Sequence, residues 1–317
     1  MGIEITSTVG QTDTAAGGAI RRAARRGELV RIHRGAYVDA AAWAGSATHE
    51  RHLALVQASI GRGDHIVSHA SAVALHRLPW IGGFGARVML TDPGRDRGQV
   101  KSSLQRVGTD GRVPETVAID GYVVTSLAVT GVDVALREHP WRAIVVLDAI
   151  LRRGIDRDQL RRELSMRGAP RARRRARELI GMADASADSP GESITRWGAH
   201  VLGAPSPQPQ REFPNEWGGA DRVDFWFPGS GTIVEFDGAA KYRDPRYRNG
   251  RSAEEVVVQE KRREDRLRGH HEVHGFARVT WSDAMPAGQL PRRLLDAGVP
   301  LGPNWAAAWR AAANRAL

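Results

Sequence analysis

Two short stretches decide the fold of the carboxy-terminal part of the chain: residues 222–227, RVDFWF, and residues 232–237, TIVEFD. Each alternates in side-chain character, and the turn-forming sequence Pro-Gly-Ser-Gly separates them. This pattern predicts a β-hairpin with an apolar core face. The residues of that predicted core face are Val223, Phe225, Phe227, Val234 and Phe236.

The polar face of this hairpin predicts a cation site. If the loop closes the hairpin, Phe227 faces Thr232, and Asp224 lies directly opposite Glu235, with Asp237 on the same face. Directly opposed carboxylates repel each other and require a proton, a cation or full solvation. Mg²⁺, with Mn²⁺ as a substitute, is the hard cation that carboxylate and backbone oxygens prefer. An exposed hairpin face with unrelated acids is the alternative.

Capping sequences place helices on both sides of the hairpin. Ser189-Pro190-Gly191-Glu192 predicts a helix that ends at Gly203, and Ser252-Ala253-Glu254-Glu255 predicts a second helix up to Arg268. A strand over residues 276–281 follows. The predicted order of helix, hairpin, helix and strand is an α/β sandwich on a small mixed sheet.

Residues 189–283 resemble the PD-(D/E)XK nuclease superfamily, and in particular its very-short-patch-repair-endonuclease-like domains. The matching stretches are GESITR, RVDFWF, IVEFDG, EKRREDRLRG and ARVTW. The resemblance implies a restriction-endonuclease-like mixed sheet flanked by helices, and Mg²⁺-dependent hydrolysis of phosphodiester bonds. It also implies that Asp224 and Glu235 bind the metal together with the carbonyl of Phe236, and that Glu192 is the acid of the preceding helix.

The lysine of that superfamily motif is replaced in this chain. Asp237 stands at the lysine position, so the resemblance implies that Lys241 or Lys261 acts on the attacking water instead. Glu192 also has a simpler interpretation, as the capping-box glutamate three residues after Ser189.

The amino-terminal part predicts a winged helix. Residues 19–26 form a basic helix, and residues 29–33 and 36–38 are strands joined at Arg34-Gly35. Such a helix can enter a groove of DNA while the hairpin contacts phosphates. A solvated helix packed on a hairpin is the alternative. The residues that we predict to contact DNA are Arg21, Arg22, Arg25, Arg26, Arg31, His33 and Arg34.

Residues 19–180 resemble the AbiEi-type antitoxin regulators of bacterial type IV toxin–antitoxin systems. The matching stretches are RRGELVRIHRGAYV, VSHASAVALHRLP, VVTSLAVTGVDVAL and RGAPRARRRAREL. The resemblance implies a DNA-binding domain, a mixed α/β middle domain and a cognate toxin as partner. The predicted fold is therefore α/β (α+β). Its predicted segments are a winged helix over 1–45, the middle domain over 46–180, a linker over 181–188, the nuclease-like domain over 189–300 and a terminal helix over 301–317.

The composition favours one class of partner and excludes several kinds of site. The 317 residues include 46 Lys and Arg against 36 Asp and Glu, a net charge of +10 that favours nucleic acid as a partner. Cysteine is absent, which excludes disulfides, thiol nucleophiles and cysteine-bound zinc. The sequence shows neither a signal-peptide pattern nor a membrane-spanning stretch, so we predict a cytoplasmic protein without a membrane partner.

Two hypotheses follow. In the first, the chain binds duplex DNA and also cleaves it with Mg²⁺ through Asp224 and Glu235. In the second, it is a non-enzymatic antitoxin or transcriptional regulator with a degenerate nuclease fold. Asp237 at the lysine position and the equal numbers of acidic and basic residues in 181–317 favour the second. The retained acid pair favours the first.

Overall fold

The computed structural model describes residues 3–8, 14–60, 65–167, 170–238 and 253–314. The chain divides into two compact units. The first unit is Met1–Glu138 with Ala149–Gly181, and the second is His139–Asp148 with Met182–Leu317. The described residues form 13 helices and three sheets, which confirms the predicted mixed α/β class at that level. None of the described helices is long and apolar enough to cross a membrane.

The amino-terminal segment of the first unit is a helix with an antiparallel sheet. Its elements are β1 (Thr6–Ser7), α1 (Thr14–Arg25), β2 (Leu29–His33) and β3 (Ala36–Asp39), and the sheet order is β1-β3-β2. The predicted helix and hairpin both form, although α1 begins five residues earlier than predicted. Gly35 turns the hairpin at φ 77°, a conformation that favours glycine. The described residues before β2 contain one helix, so the winged-helix assignment stays a prediction.

A six-stranded mixed sheet forms much of the rest of the first unit. Its order is β6-β7-β5-β4-β9-β8, with β4 parallel to β9 and β5 parallel to β7. Val67, Leu90 and Val124 of its central strands are buried in one apolar cluster with Val56. The strands are β4 (Ile66–Val67), β5 (Val88–Asp92), β6 (Gln99–Val100), β7 (Leu104–Gly108), β8 (Thr116–Ile119) and β9 (Tyr122–Thr125).

Seven helices accompany these sheets along the chain. The first of them begins at a cap, where Asp39 Oδ1 accepts a hydrogen bond from Ala42 N at 2.8 Å. The helices are α2 (Ala40–Gly45), α3 (Thr48–Ile60), α4 (His69–Leu75), α5 (Leu127–Arg137), α6 (Pro140–Arg152), α7 (Arg157–Ser165) and α8 (Pro170–Met182).

Arginines of the segment 151–178 bind helix ends in the first unit. Arg153 donates to His76 O at 2.6 Å and to Arg77 O at 3.1 Å, just beyond the end of α4. Arg175 donates to Leu136 O at 2.7 Å in the last turn of α5. Carbonyl groups at helix carboxyl ends lack helical partners and carry partial negative charge, so a guanidinium stabilises them. These two arginines therefore have structural roles.

The second unit is built on a four-stranded mixed sheet in the order β10-β11-β12-β13. The pair β12–β13 is parallel and the other two pairs are antiparallel. The predicted hairpin is β11–β12, whereas β10 was not predicted. The elements are α9 (Pro190–Val201), β10 (Gln208–Pro214), β11 (Ala220–Phe227), β12 (Thr232–Phe236), α10 (Ala253–Gly269), β13 (Gly275–Val279), α11 (Trp281–Ala284), α12 (Leu290–Asp296) and α13 (Trp305–Asn314).

Strand β12 is buried on both faces. All five of its residues are buried, so the polar face expected from sequence is covered. On one face, Trp226 and Ile233 cluster with Leu267 of α10. On the other face, Phe236 lies against Gly191 at the start of α9. The small mixed sheet therefore has a helix on each side.

A buried ion pair joins α6 to α9 within the second unit. Both carboxylate oxygens of Asp148 accept from Arg196 Nη2, at 2.8 and 2.7 Å, and Asp148 is fully buried. Asp148 Oδ1 also accepts from Asp184 N at 2.8 Å, which fixes the segment predicted as a linker at that residue. This pair anchors residues 139–148 to the carboxy-terminal part of the chain.

Removal of this carboxylate is expected to destabilise the protein strongly. Asp148→Ala leaves the guanidinium of Arg196 buried without its anion, so the free energy of unfolding should fall by about 3–5 kcal/mol. Urea denaturation followed by circular dichroism measures the decrease. The matched control is Arg292→Ala, which breaks the exposed pair with Asp296 and should cost less than about 1 kcal/mol. Equal small decreases in the two variants would contradict the expectation.

Candidate functional site

The site predicted from sequence lies where the start of α9 meets strands β10 to β12. Ser189 caps α9, and its Oγ accepts from Glu192 N at 3.2 Å. The Glu192 side chain is buried and accepts from Ser189 Oγ at 2.7 Å and from Asp188 N at 2.9 Å. A third hydrogen bond, from Gln210 Nε2 at 2.9 Å, ties the carboxylate to β10. Glu192 therefore caps the helix and also links it to the sheet.

Gln210 is a site residue that sequence reasoning missed. Pro209 pairs with Phe225 and Arg211 with Val223, so Gln210 lies opposite Asp224 between them. Its φ is 53°, which is unusual for a residue other than glycine inside a strand. The prolines of the sequence QPQREFP concealed this strand, because proline normally interrupts a strand pattern. Gln210 thus binds Glu192 of α9 and lies opposite Asp224 of β11.

Asp224 and Glu235 are neighbours across the hairpin. The observed register pairs Phe227 with Thr232 and Phe225 with Val234, and its continuation places Asp224 opposite Glu235. The regular ladder ends before that pair. Asp224 Oδ2 instead accepts from the backbone N of Phe236 at 2.8 Å. The carboxylates of the two acids therefore bind different groups.

The carboxylate of Glu235 is bound by an arginine that sequence reasoning also missed. Arg263 Nη2 of α10 lies 2.6 Å from Glu235 Oε1, and Glu235 is 8% exposed. Arg263 also donates to the carbonyl of Arg222 in β11. Burial alone would lower the pKa of Arg263, but the hydrogen bond and the charge of Glu235 together raise it above its ordinary value.

The remaining charges of α10 form ion pairs along the same helix and its neighbouring strands. Arg266 binds both oxygens of Asp221, at 2.9 and 3.0 Å. Glu264 accepts from Arg268 at 2.9 Å and from Arg278 of β13 at 3.1 Å. Charges of both signs therefore compensate each other on this face of the sheet.

Of the two predicted lysines, the structure describes only Lys261, and no contact joins it to the acid pair among the described residues. Lys261 is exposed on α10, and Lys241 lies outside the described residues. Asp237, at the lysine position of the family motif, is half-buried. Its backbone N donates to Val279 O at 2.8 Å and so extends the pairing between β12 and β13.

These contacts test whether the site fits Mg²⁺ or Mn²⁺. A divalent ion needs several free oxygen ligands, and an oxygen of Glu235 is already held by the guanidinium of Arg263. Among the described residues, no group of three or more Asp, Glu or His side chains could hold a metal ion together. In this arrangement the residues do not fit a divalent ion.

The seven predicted DNA-contacting residues divide into two groups. Arg21, Arg22 and Arg25 on α1 and Arg34 in the hairpin turn are exposed, and none has an ion-pair partner among the described residues. The other three residues have intramolecular contacts. Arg26 binds Glu28 at 2.6 Å, Arg31 Nε donates to His33 O at 3.3 Å, and His33 Nε2 lies 3.0 Å from Ser103 Oγ.

The glycine before Glu192 determines how closely α9 approaches β12. A Cβ at Gly191 would overlap the ring of Phe236, so Gly191→Ala should lower the free energy of unfolding by about 1–3 kcal/mol. The matched control is Gly181→Ala, since a Cβ at that helical position meets nothing within 4 Å. The control should stabilise the protein by up to about 1 kcal/mol. Chemical denaturation measures both changes, and a neutral Gly191→Ala variant would refute this packing argument.

The comparisons with known proteins identify no family. The sequence matches no protein-family model and shows no significant match to a curated protein. The resemblances to AbiEi-type regulators and PD-(D/E)XK nucleases therefore stay predictions, and function is argued from the geometry of the site.

Proposed function

We propose that this protein is a non-enzymatic DNA-binding regulator whose contact with duplex DNA is made by α1 and the β2–β3 turn. The observation that carries the proposal is a group of exposed arginines close together in the chain that have no acidic partner among the described residues: Arg21, Arg22, Arg25 and Arg34. Arginine binds phosphate oxygens through several donors, and phosphate contacts position a protein on DNA independently of sequence. The net charge of +10 also favours a polyanionic partner such as DNA.

Hydrogen bonds on both sides anchor the hairpin turn, which supports this function. Thr8 N donates to Gly35 O at 2.8 Å beside the turn, and His33 is tied to Ser103. Arg34 therefore extends from a backbone that is fixed on both strands. A preorganised cation loses less conformational freedom when it meets a phosphate.

The second unit supports a role without cleavage. Arg263 forms an ion pair with Glu235, the acid that would bind the catalytic ion. Asp237 stands at the lysine position of the family motif. We therefore favour a binding role for the nuclease-like domain. A cognate toxin is a further partner that we propose only from the resemblance to AbiEi-type regulators.

The salt dependence of DNA binding tests the proposed surface. Replacing Arg21, Arg22, Arg25 and Arg34 together by alanine should weaken binding to duplex DNA. The slope of log K against log salt should flatten by about 0.9 for each phosphate that the variant no longer neutralises. Filter binding at several salt concentrations measures this. The matched variant replaces Arg161, Arg162, Arg174 and Arg177, which are exposed on α7 and α8. If the slope flattens in that variant alone, the DNA-binding surface lies on α7 and α8 and not on α1.

A nicking assay tests the absence of cleavage separately. We expect supercoiled plasmid to remain intact with Mg²⁺ or Mn²⁺ at protein concentrations that saturate binding, because Glu235 is held by Arg263. Asp224→Asn serves as the control for contaminating nucleases. Cleavage by the wild-type protein that disappears in Asp224→Asn would establish the enzyme and overturn the non-enzymatic proposal.

A further inference from the structure

We propose that Arg263 is the built-in cation of Glu235, the acid opposite Asp224, and that it excludes a divalent ion from that carboxylate. This inference deepens the proposed role without cleavage and rests on it. The starting observation is electrostatic. Two carboxylates at opposed strand positions require positive charge, and Glu235 is too buried for water to supply the compensation. A guanidinium 2.6 Å from Glu235 Oε1 meets that requirement.

The contacts of Arg263 place it at both strands of the hairpin. Its Nη2 donates to Glu235 Oε1 in β12 and to the carbonyl of Arg222 in β11. Its Nη1 lies 3.6 Å from Glu260 Oε2, one turn earlier on α10. One side chain thus connects the helix to both strands, as a structural metal ion would connect its ligands. The side chain is 22% exposed, so its charge is only partly screened by water.

A divalent ion and Arg263 compete for the same oxygen. An ion bound to Glu235 Oε1 would stand beside the guanidinium that binds the same oxygen, and the two positive charges would repel each other. Of the nearby acids, Glu264 is already bound by Arg268 and Arg278, and Glu260 lies 3.6 Å from Arg263 itself. The wild-type protein is therefore stable without a divalent ion, whereas removal of Arg263 exposes Glu235 as a ligand next to Asp224.

The test measures cation binding through protein stability, independently of nuclease activity and of DNA binding. Full-length wild type, Arg263→Gln and Arg266→Gln are melted in EDTA, in Mg²⁺ and in Mn²⁺. Arg266→Gln is the matched control, because Arg266 is on the same helix and binds a single carboxylate, Asp221. Calorimetric titration of each protein with Mn²⁺ provides an independent measurement.

The wild type and Arg266→Gln should each melt at the same temperature with and without the cations. Arg263→Gln should melt below wild type in EDTA and gain roughly 5 °C at saturating Mn²⁺. Addition of Asp224→Asn to Arg263→Gln should abolish that gain. If Arg263→Gln is unfolded in EDTA, Mn²⁺ should restore its circular dichroism spectrum.

Two results would overturn the inference. Stabilisation of the wild type by Mn²⁺ would show that Arg263 yields its position to the ion. An Arg263→Gln variant that neither binds Mn²⁺ nor gains stability from it would show that the acid pair is not a cation site. Neither result bears on DNA binding by α1. Either result can occur together with an intact plasmid in the nicking assay.

Discussion

Strand β12 is covered on both faces, and this constraint governs the chemistry of the second unit. An acid in such a strand cannot be compensated by water, so it must have a positively charged or hydrogen-bonding partner within the protein. Glu235, which lies in β12, has Arg263 as its partner. In the neighbouring strand β11, Asp224 binds the backbone N–H of Phe236.

Several of the described arginines have structural roles. Guanidinium groups hold buried acids, as in the pair Arg196–Asp148, and bind carbonyl groups at helix ends, as Arg153 and Arg175 do. Such residues contribute to the formal charge but are not available to a partner. Other arginines are exposed and have no ion-pair partner among the described residues, as on α1, α7 and α8. Fewer cationic side chains are therefore available to a partner than the 46 Lys and Arg residues of the composition indicate.

The local elements were predictable from the sequence, whereas the tertiary partners were not. The hairpin β11–β12 and its register followed from side-chain alternation and the loop between the strands, and the cap at Ser189 followed from its spacing to Glu192. Strand β10 was missed because its prolines disrupt the pattern. The partners of Glu235 and Asp148 are 28 and 48 residues away along the chain. No local periodicity encodes such pairings, since they depend on how α10 and α9 are placed against the sheet.

The irregular strand β10 has a consequence for association between chains. It is an edge strand, and an edge with a continuous row of unpaired backbone groups can template aggregation. Pro209 and Pro214 have no N–H to offer, and the left-handed backbone of Gln210 interrupts the extended run between them. A second chain therefore finds no long, regular edge at β10 along which to add a strand. The residue that ties Glu192 to the sheet also helps to keep the protein from polymerising through that edge.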